Sequence, residues 1–179
     1  MNYLQSLIRY KQWANDLLFT AATELTEEEL TVSRPIVFGS IIKTLHHTYA
    51  MDLVWQANLQ GTEHGFKTRN PDDYPALGKL DTNQRKLDEW YIAYVDSLSS
   101  AEIDEAVSFT FIGGGVGTMT RRDILLHVVN HGTYHRGNVT GMMYECSLEP
   151  PTTDYPVFLK QNPPNKQMQT DAAKAAPLI

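Results

Sequence analysis

The sequence contains a single cysteine and no long apolar run, and both absences restrict the class of protein. Cys146 has no partner for an internal disulfide. No window reaches the roughly 18 consecutive apolar residues that a membrane-spanning helix needs. The first residues, MNYLQSLIRYKQW, also lack the uninterrupted apolar stretch of a signal peptide. We therefore expect a cytoplasmic protein without a membrane partner.

Basic residues are scarce relative to acidic ones. The chain has 15 Lys and Arg against 21 Asp and Glu, which gives a formal net charge of −6. Its longest basic run is the pair Arg121 and Arg122. Because binding to phosphates requires clustered positive charge, this composition argues against a nucleic-acid partner.

The length and the apolar content are those of one ordinary globular domain. The chain has 179 residues, of which 42% are hydrophobic and 20% charged. Residues 3–23 place Leu4, Leu7, Ile8 and Leu18 at helical spacing, with Lys11 expected elsewhere around the cylinder. This pattern predicts a first amphipathic helix.

Further capping and helix-ending signals mark three more long helices. Ser40 precedes a helix that ends at Gly61, and Asp81 is expected to cap a third helix that ends at Ser99. Thr120 precedes a fourth helix through residue 146. The sequence TEEELT predicts a short helical turn, residues 62–79 a long loop, and VSFTF with VGTMT a small β-hairpin. The expected fold class is all-α, a four-helix bundle with a possible small β-hairpin before the last helix.

The fourth predicted helix carries three histidines at four-residue spacing. Residues i and i+4 are neighbours on a helix surface, so His127, His131 and His135 follow one stripe of the helix. His131 and His135 lie in the middle of the apolar face, whereas His127 lies toward its edge. Burying two imidazoles without partners costs about 1–3 kcal/mol each, and a shared metal ion removes that cost.

A third metal ligand is expected from another helix of the bundle. The second helix offers two adjacent candidates, His46 and His47. Periodicity does not choose between them, because this helix is apolar around most of its circumference.

At this point the chain resembles a known family. The motif of His47, Asp52 and Trp55, the segment HVVNHGTYHRG and the closing pattern PPTTDYPVFL are similar to those of the DinB-like family of bacterial metalloproteins, also described as DinB/YfiT-like. The resemblance covers residues 1–159 and implies an up-down-down-up bundle, commonly a homodimer. It also implies a divalent ion held by three histidines, which here are His47, His131 and His135. Residues 160–179 remain outside it, and we expect them to form a disordered tail.

Four other residues are candidates for the surroundings of the site. Asp52 is expected either to orient a ligand imidazole or to be an exposed charge, and Arg136 either to bind a substrate carboxylate or to form a surface salt bridge. Tyr134 either lines a pocket or packs in the core. The resemblance places His127 at a position that is often histidine in this branch without being one of the three ligands.

A three-histidine site leaves a coordination position open, as catalytic metal sites do. Imidazole ligands suit zinc, nickel, iron or copper, and we favour zinc or nickel, with iron as an alternative. The ion would act as a Lewis acid on water or on a low-molecular-weight thiol. The resemblance favours thiol-dependent transfer, since some relatives use bacillithiol, mycothiol or glutathione. The prediction is a metal-dependent S-transferase or hydrolase acting on a small molecule, and the alternative is a non-catalytic stress protein that binds a metal or a small ligand.

Overall fold

The computed structural model describes residues 2–71 and 73–163. These residues form a mostly helical protein with one small β-hairpin, which confirms the predicted fold class. The elements in chain order are α1 (Tyr3–Ala22), α2 (Glu27–Thr31), α3 (Ile41–Gln60), α4 (Leu77–Ser97), a 3-10 helix (Glu102–Asp104), β1 (Ala106–Thr110), β2 (Val116–Thr120), α5 (Arg121–Glu145) and α6 (Tyr155–Gln161).

Helices α1 and α4 run antiparallel in the bundle. Arg9 near the start of α1 pairs with Asp96 at the end of α4. Asp16, two turns further along α1, pairs with Arg85 in the first half of α4. These two ion pairs fix the relative direction of the two helices.

Helices α3 and α4 run parallel, since the Tyr91 hydroxyl donates to the carbonyl of Asp52 and the Tyr94 hydroxyl donates to that of Leu59. The long connection between the end of α3 at Gln60 and the start of α4 at Leu77 allows this parallel order. With α5 antiparallel to α3, the bundle has the up-down-down-up order.

Local capping explains most of the helix boundaries. The Ser40 hydroxyl accepts from the Lys43 amide at the start of α3, and Gly61 ends that helix with a φ of 69°. Thr26 with Glu29 forms a capping box at the start of the short helix that TEEELT predicts, and Thr120 caps α5. These predictions are confirmed.

The predicted boundaries of α4 are wrong. The helix begins at Leu77 after Ala76, whose side chain makes no capping hydrogen bond, and it ends at Ser97. Asp81, the expected cap, lies one turn inside the helix and pairs with Arg85. Since no capping side chain marks the true start at Leu77, the sequence pattern predicts a start about one turn too late.

Helix α6 was not predicted from periodicity. It packs against α1, where the Tyr155 hydroxyl is hydrogen-bonded to Ser6 and the buried Phe158 ring contacts Tyr10 and Trp13. The helix ends two residues beyond the expected domain boundary at residue 159. The predicted tail beyond residue 163 lies outside the described residues.

The β-hairpin lies against α3 and α5. Phe109 in β1 is paired with Gly117 in β2. A Cβ atom at Gly117 would lie 2.6 Å from the Phe109 ring, so glycine is what allows this ring to lie across the partner strand. Within the part of the chain that is described, no helix has the length and apolarity needed to cross a membrane.

Candidate metal centre

Three imidazoles from two helices meet inside the bundle. The Nε2 atom of His131 lies 3.3 Å from Nε2 of His47 and 3.1 Å from Nε2 of His135. The potential ligand atoms of the three residues all lie within 4.8 Å of one another. Nitrogens this close to one another could hold one metal ion.

The bundle geometry explains why these rings converge. His131 and His135 lie one turn apart on α5, and the antiparallel α3 brings His47 opposite them. His47 is 6% exposed, whereas its neighbour His46 is half-buried and stacks beside Tyr49 outside the cluster. The choice that periodicity left open is therefore settled by packing in favour of His47 as the residue beside the other two.

One hydrogen bond fixes the protonation of His47. Its Nδ1 atom lies 2.9 Å from the carbonyl oxygen of Arg69, which can only accept, so Nδ1 carries the proton. The lone pair of Nε2 then points toward the cluster. The Phe38 ring stacks on this imidazole at a centroid distance of 3.9 Å and restricts its rotation.

All three imidazoles are uncharged at neutral pH. Burial, with the repulsion that a second protonated histidine of the cluster and the charge of Lys11 would exert, lowers the pKa of His131 to about 3. Burial and His47 lower the pKa of His135 to about 4, and burial also lowers the pKa of His47. Neutral imidazole is the form that binds metal ions.

The donor set fits a divalent cation. A neutral imidazole carries one N–H, and that of His47 is already donated to a carbonyl. The Nε2 atom of His131 faces two other Nε2 atoms and can donate to at most one of them. A cation among the three lone pairs satisfies the cluster better than mutual hydrogen bonds do.

A cleft of about 430 Å³ reaches the cluster from the surface. Its wall includes His47 and His131 and is otherwise mostly apolar. The remaining lining residues are Val37, Phe38, Met51, Val54, Trp55, Asn58, Arg69, Asn70, Phe109, Thr110, Phe111, Ile112 and His127. A small molecule that enters this cleft therefore arrives at the imidazoles through an apolar passage.

The structure places His127 and Tyr134 beside the cluster. The His127 ring packs edge-on against Trp55 at 5.0 Å and lies 5.6 Å from the His131 ring, so it forms part of the cleft wall. Tyr134 is 65% exposed and packs its ring edge-on against His135 on the outer side of α5, so it neither lines the cleft nor packs in the core, and both expected roles are wrong.

Asp52 lies in a buried charge cluster. It is 1% exposed, and its Oδ2 atom lies 2.7 Å from Nζ of Lys11 and accepts from Gln84. In residues 2–71 and 73–163, no hydrogen bond joins it to an imidazole. The expectation of an exposed charge is therefore wrong, and the structure gives Asp52 a different partner from a ligand imidazole.

Arg136 belongs to the same interior and does not form the surface salt bridge that was one of its two predicted roles. Its guanidinium is buried, donates to Asn15 and Thr133, and lies over the Tyr10 ring. Asn15 in turn donates to Asp88. Arg136 is therefore connected to the buried charge cluster and does not line the cleft.

Sequence reasoning missed the centre of this cluster. Lys11 was expected on the polar side of α1, yet it is 0% exposed and pairs with both Asp52 and Asp88. A signal was present, because Lys11 follows Leu4 by seven residues and Ile8 by three, which places it on the core-facing stripe.

Comparisons with known proteins agree with this architecture. The model of the DinB family matches residues 1–170. Protein DinB of Bacillus subtilis (strain 168) is 28% identical over 159 residues, covering 86% of this chain and 91% of that protein. YizA of the same organism is 26% identical over 152 residues, covering 85% and 93%.

Two crystal structures share the fold. A DinB-like protein from Bacillus cereus ATCC 10987 superposes with a TM-score of 0.63 at 18% identity, over 80% of this chain and 91% of that one. The DinB-like protein YjoA from Bacillus subtilis gives 0.60 at 15% identity, over 83% and 97%. With a family match that spans nearly the whole sequence, the chain belongs to the DinB family.

Proposed function

We propose that this protein is a divalent-metal-dependent enzyme whose ion is held by His47, His131 and His135. The proposal is supported chiefly by one observation, the convergence of three uncharged imidazoles at an apolar cleft. Zinc, nickel and iron all suit three imidazole ligands. Three protein ligands leave a coordination position for a substrate, which is the usual construction of a catalytic site.

The chemistry we propose is thiol-dependent S-transfer or hydrolysis. The ion, when bound, supplies a Lewis acid. In the transfer reaction the sulfur of a low-molecular-weight thiol forms a bond to an electrophilic carbon, the leaving group departs with its bonding electrons, and the thiol proton passes to solvent. The Arg69 carbonyl and the Phe38 ring hold His47 in position, while the apolar cleft wall limits water around the reacting groups.

One feature of the cleft favours a second function, that of a non-catalytic protein which binds a metal or a small ligand during stress. None of the described lining residues is Asp, Glu, Cys or Lys, so acid–base chemistry by these residues depends on imidazoles alone. His127, whose pKa is lowered by burial, is the additional imidazole on the wall. A binding protein needs no such group.

A conjugation assay separates the two functions. The metal-loaded protein is incubated with bacillithiol, mycothiol or glutathione and a chromogenic electrophile, and turnover is compared with that of His47→Ala and of the matched control His46→Ala. If His47→Ala abolishes turnover and His46→Ala retains it, the result supports the enzymatic function. Stoichiometric metal binding without turnover on any thiol or ester substrate supports the binding protein instead.

We further propose that the protein acts as a cytoplasmic homodimer without a nucleic-acid partner. The family resemblance supports the dimer, and the net charge of −6 disfavours binding to nucleic acid. Light scattering coupled to size-exclusion chromatography tests the oligomeric state. A mass of one chain across the micromolar range contradicts the dimer.

A further inference from the structure

The cleft beside the three histidines has two apolar walls. One is formed by the hairpin, whose Phe109, Phe111 and Ile112 face the bundle. The other is formed by Met51, Val54 and Trp55 of α3. A ligand between these walls is enclosed largely by aromatic and aliphatic side chains, which favours an apolar body over a polar one.

The electrostatics of the cleft restrict the ligand further. Among the described residues that line it, Arg69 is the one with a charge, and it lies on the exposed loop whose carbonyl accepts the hydrogen bond of His47. With no carboxylate among the described residues of the wall, a cationic ligand would find no partner for its charge in that part of the cleft. The described lining residues therefore offer no charge partner to the aliphatic amines and polyamines that acidic pockets bind.

The size of the cleft sets a limit on the ligand. Ligand pockets occupy about 300–1,000 Å³, and a cavity of about 430 Å³ lies near the lower end. This volume suits a body of one or two rings rather than a long chain or a peptide. A ligand of this size would contact both the hairpin and α3 at once.

We propose that the cleft binds the uncharged aromatic body of a one- or two-ring substrate whose reacting polar group is directed at His47 and His131. This inference rests on the proposed metal-dependent function and adds the class of substrate to it. The hairpin acts as the specificity-determining element. Gly117 is part of that element, because its missing Cβ leaves room for the Phe109 ring, whose Cζ and Cε2 atoms would lie 2.6 and 2.8 Å from a Cβ there.

The test compares two metal chelators that differ only in their apolar part. Benzohydroxamate and acetohydroxamate share one chelating group, so calorimetric titration of the metal-loaded protein isolates the contribution of the ring. We expect benzohydroxamate to bind about 30-fold tighter, the gain that follows from removing its additional ring carbons from water.

Two hairpin variants provide the matched comparison. Phe111→Ser removes a half-exposed ring from the cleft wall, whereas Val116→Ser changes a residue that is 78% exposed and does not line the cleft. The preference for benzohydroxamate should fall at least about fivefold in Phe111→Ser and stay within twofold in Val116→Ser. Metal content, measured by elemental analysis, should be equal in all three proteins.

The outcomes separate this inference from the proposed function. Equal affinities for the two chelators, or a preference that Phe111→Ser leaves unchanged, would overturn the aromatic site while leaving the metal centre intact. If the protein holds no metal, the proposed function fails, and saturation transfer by NMR to the ring protons of benzohydroxamate then decides the inference. Transfer that is lost in Phe111→Ser but kept in Val116→Ser supports the site, and its absence in the unmodified protein refutes it.

Discussion

Replacement of Lys11 by methionine removes the positive charge that contacts both Asp52 and Asp88 in the interior. The three side chains are at most 2% exposed, and Nζ of Lys11 lies 2.7 and 2.5 Å from the two carboxylates. Burial by itself lowers the pKa of Lys11, but the two carboxylate charges outweigh it and hold the pKa above its ordinary value. Lys11 is therefore an ammonium ion at neutral pH.

The size of the effect follows from the loss of a buried partner. Removing one member of a buried ion pair costs about 3–5 kcal/mol, because the remaining charges stay desolvated and unpaired. With an m-value near 2 kcal/mol/M, a typical figure for urea, the unfolding midpoint of Lys11→Met should fall by about 2 M. Equilibrium urea unfolding of the metal-free protein at pH 7, followed by circular dichroism, measures this shift.

Two controls show whether charge burial is the cause. Arg122→Met breaks a solvent-exposed pair with Asp104 and should lower the unfolding midpoint much less than Lys11→Met does. Adding Asp52→Asn to Lys11→Met removes one of the two carboxylate charges and leaves Asp88 facing the buried guanidinium of Arg136 through Asn15, so part of the lost stability should return. If Lys11→Met lowers the midpoint no more than Arg122→Met does, the reasoning about the buried cluster is refuted.

Three further predictions concern the site and the hairpin. The folded-state pKa values of His131 and His135 lie below their ordinary value of 6.5, so the metal-free protein should lose stability as the pH falls from 6.5 toward 4. The loss is at most about 1.4 kcal/mol per pH unit for each histidine. Urea midpoints at pH 7, 5.5 and 4.5 measure it, and a midpoint that rises toward low pH contradicts the prediction. His127→Asn should keep metal affinity within about threefold, because the His127 ring only lines the cleft, whereas His131→Ala should lower the affinity at least about 100-fold. Competition with a chromogenic chelator measures the affinity of both variants. Equal losses would make His127 a ligand. Gly117→Ala should destabilise the fold by about 1–3 kcal/mol, because the new Cβ meets the Phe109 ring; thermal unfolding measures this, and an unchanged melting temperature would contradict the contact.

The glycine prediction has a control within α5. Gly137 lies in the helix interior, and a Cβ atom added there would meet no neighbouring side chain or helix within 4 Å. Gly137→Ala should stabilise the protein by about 0.5–1 kcal/mol, the helix propensity difference between the two residues. A destabilisation of the same size as that of Gly117→Ala would show that backbone freedom, rather than contact with Phe109, explains both.

The helices that were predicted well are those whose ends carry local chemistry. Ser40, Gly61 and Thr120 each cap or terminate a helix through their own side chain or backbone freedom, so a single sequence is enough to place them. The start of α4 has no such residue at Ala76. Helix α6 is held by tertiary contacts of Tyr155 and Phe158 with α1, which no local pattern contains.

The site residues likewise fall into those that local sequence predicts and those that depend on tertiary packing. The pairing of His131 with His135 is a consequence of helical spacing and was predictable from the residues. The distinction between His46 and His47 depends on how α3 rotates against α5, and that rotation is set by packing across the bundle. The resemblance selected His47, and the structure brings its ring to the other two.

The buried charge cluster shows a different limit. Lys11 lies on the apolar stripe of α1, but a lysine is expected on the solvent side of a helix unless buried partners for its charge are known. Asp52 and Asp88 follow it by 41 and 77 residues and come from separate helices. Only the assembled bundle shows that these two acidic residues lie with two buried basic ones, Lys11 in direct contact and Arg136 through Asn15.

The most direct test of the account is X-ray absorption spectroscopy of the metal-loaded protein at the zinc or nickel edge. We predict three imidazole nitrogens at about 2.0–2.1 Å from one ion for zinc, and two in His47→Ala. His46→Ala, the matched control, should retain three. An ion without imidazole scattering, or a His47→Ala spectrum identical to that of the unmodified protein, would contradict the claim that three histidines from two helices share one metal.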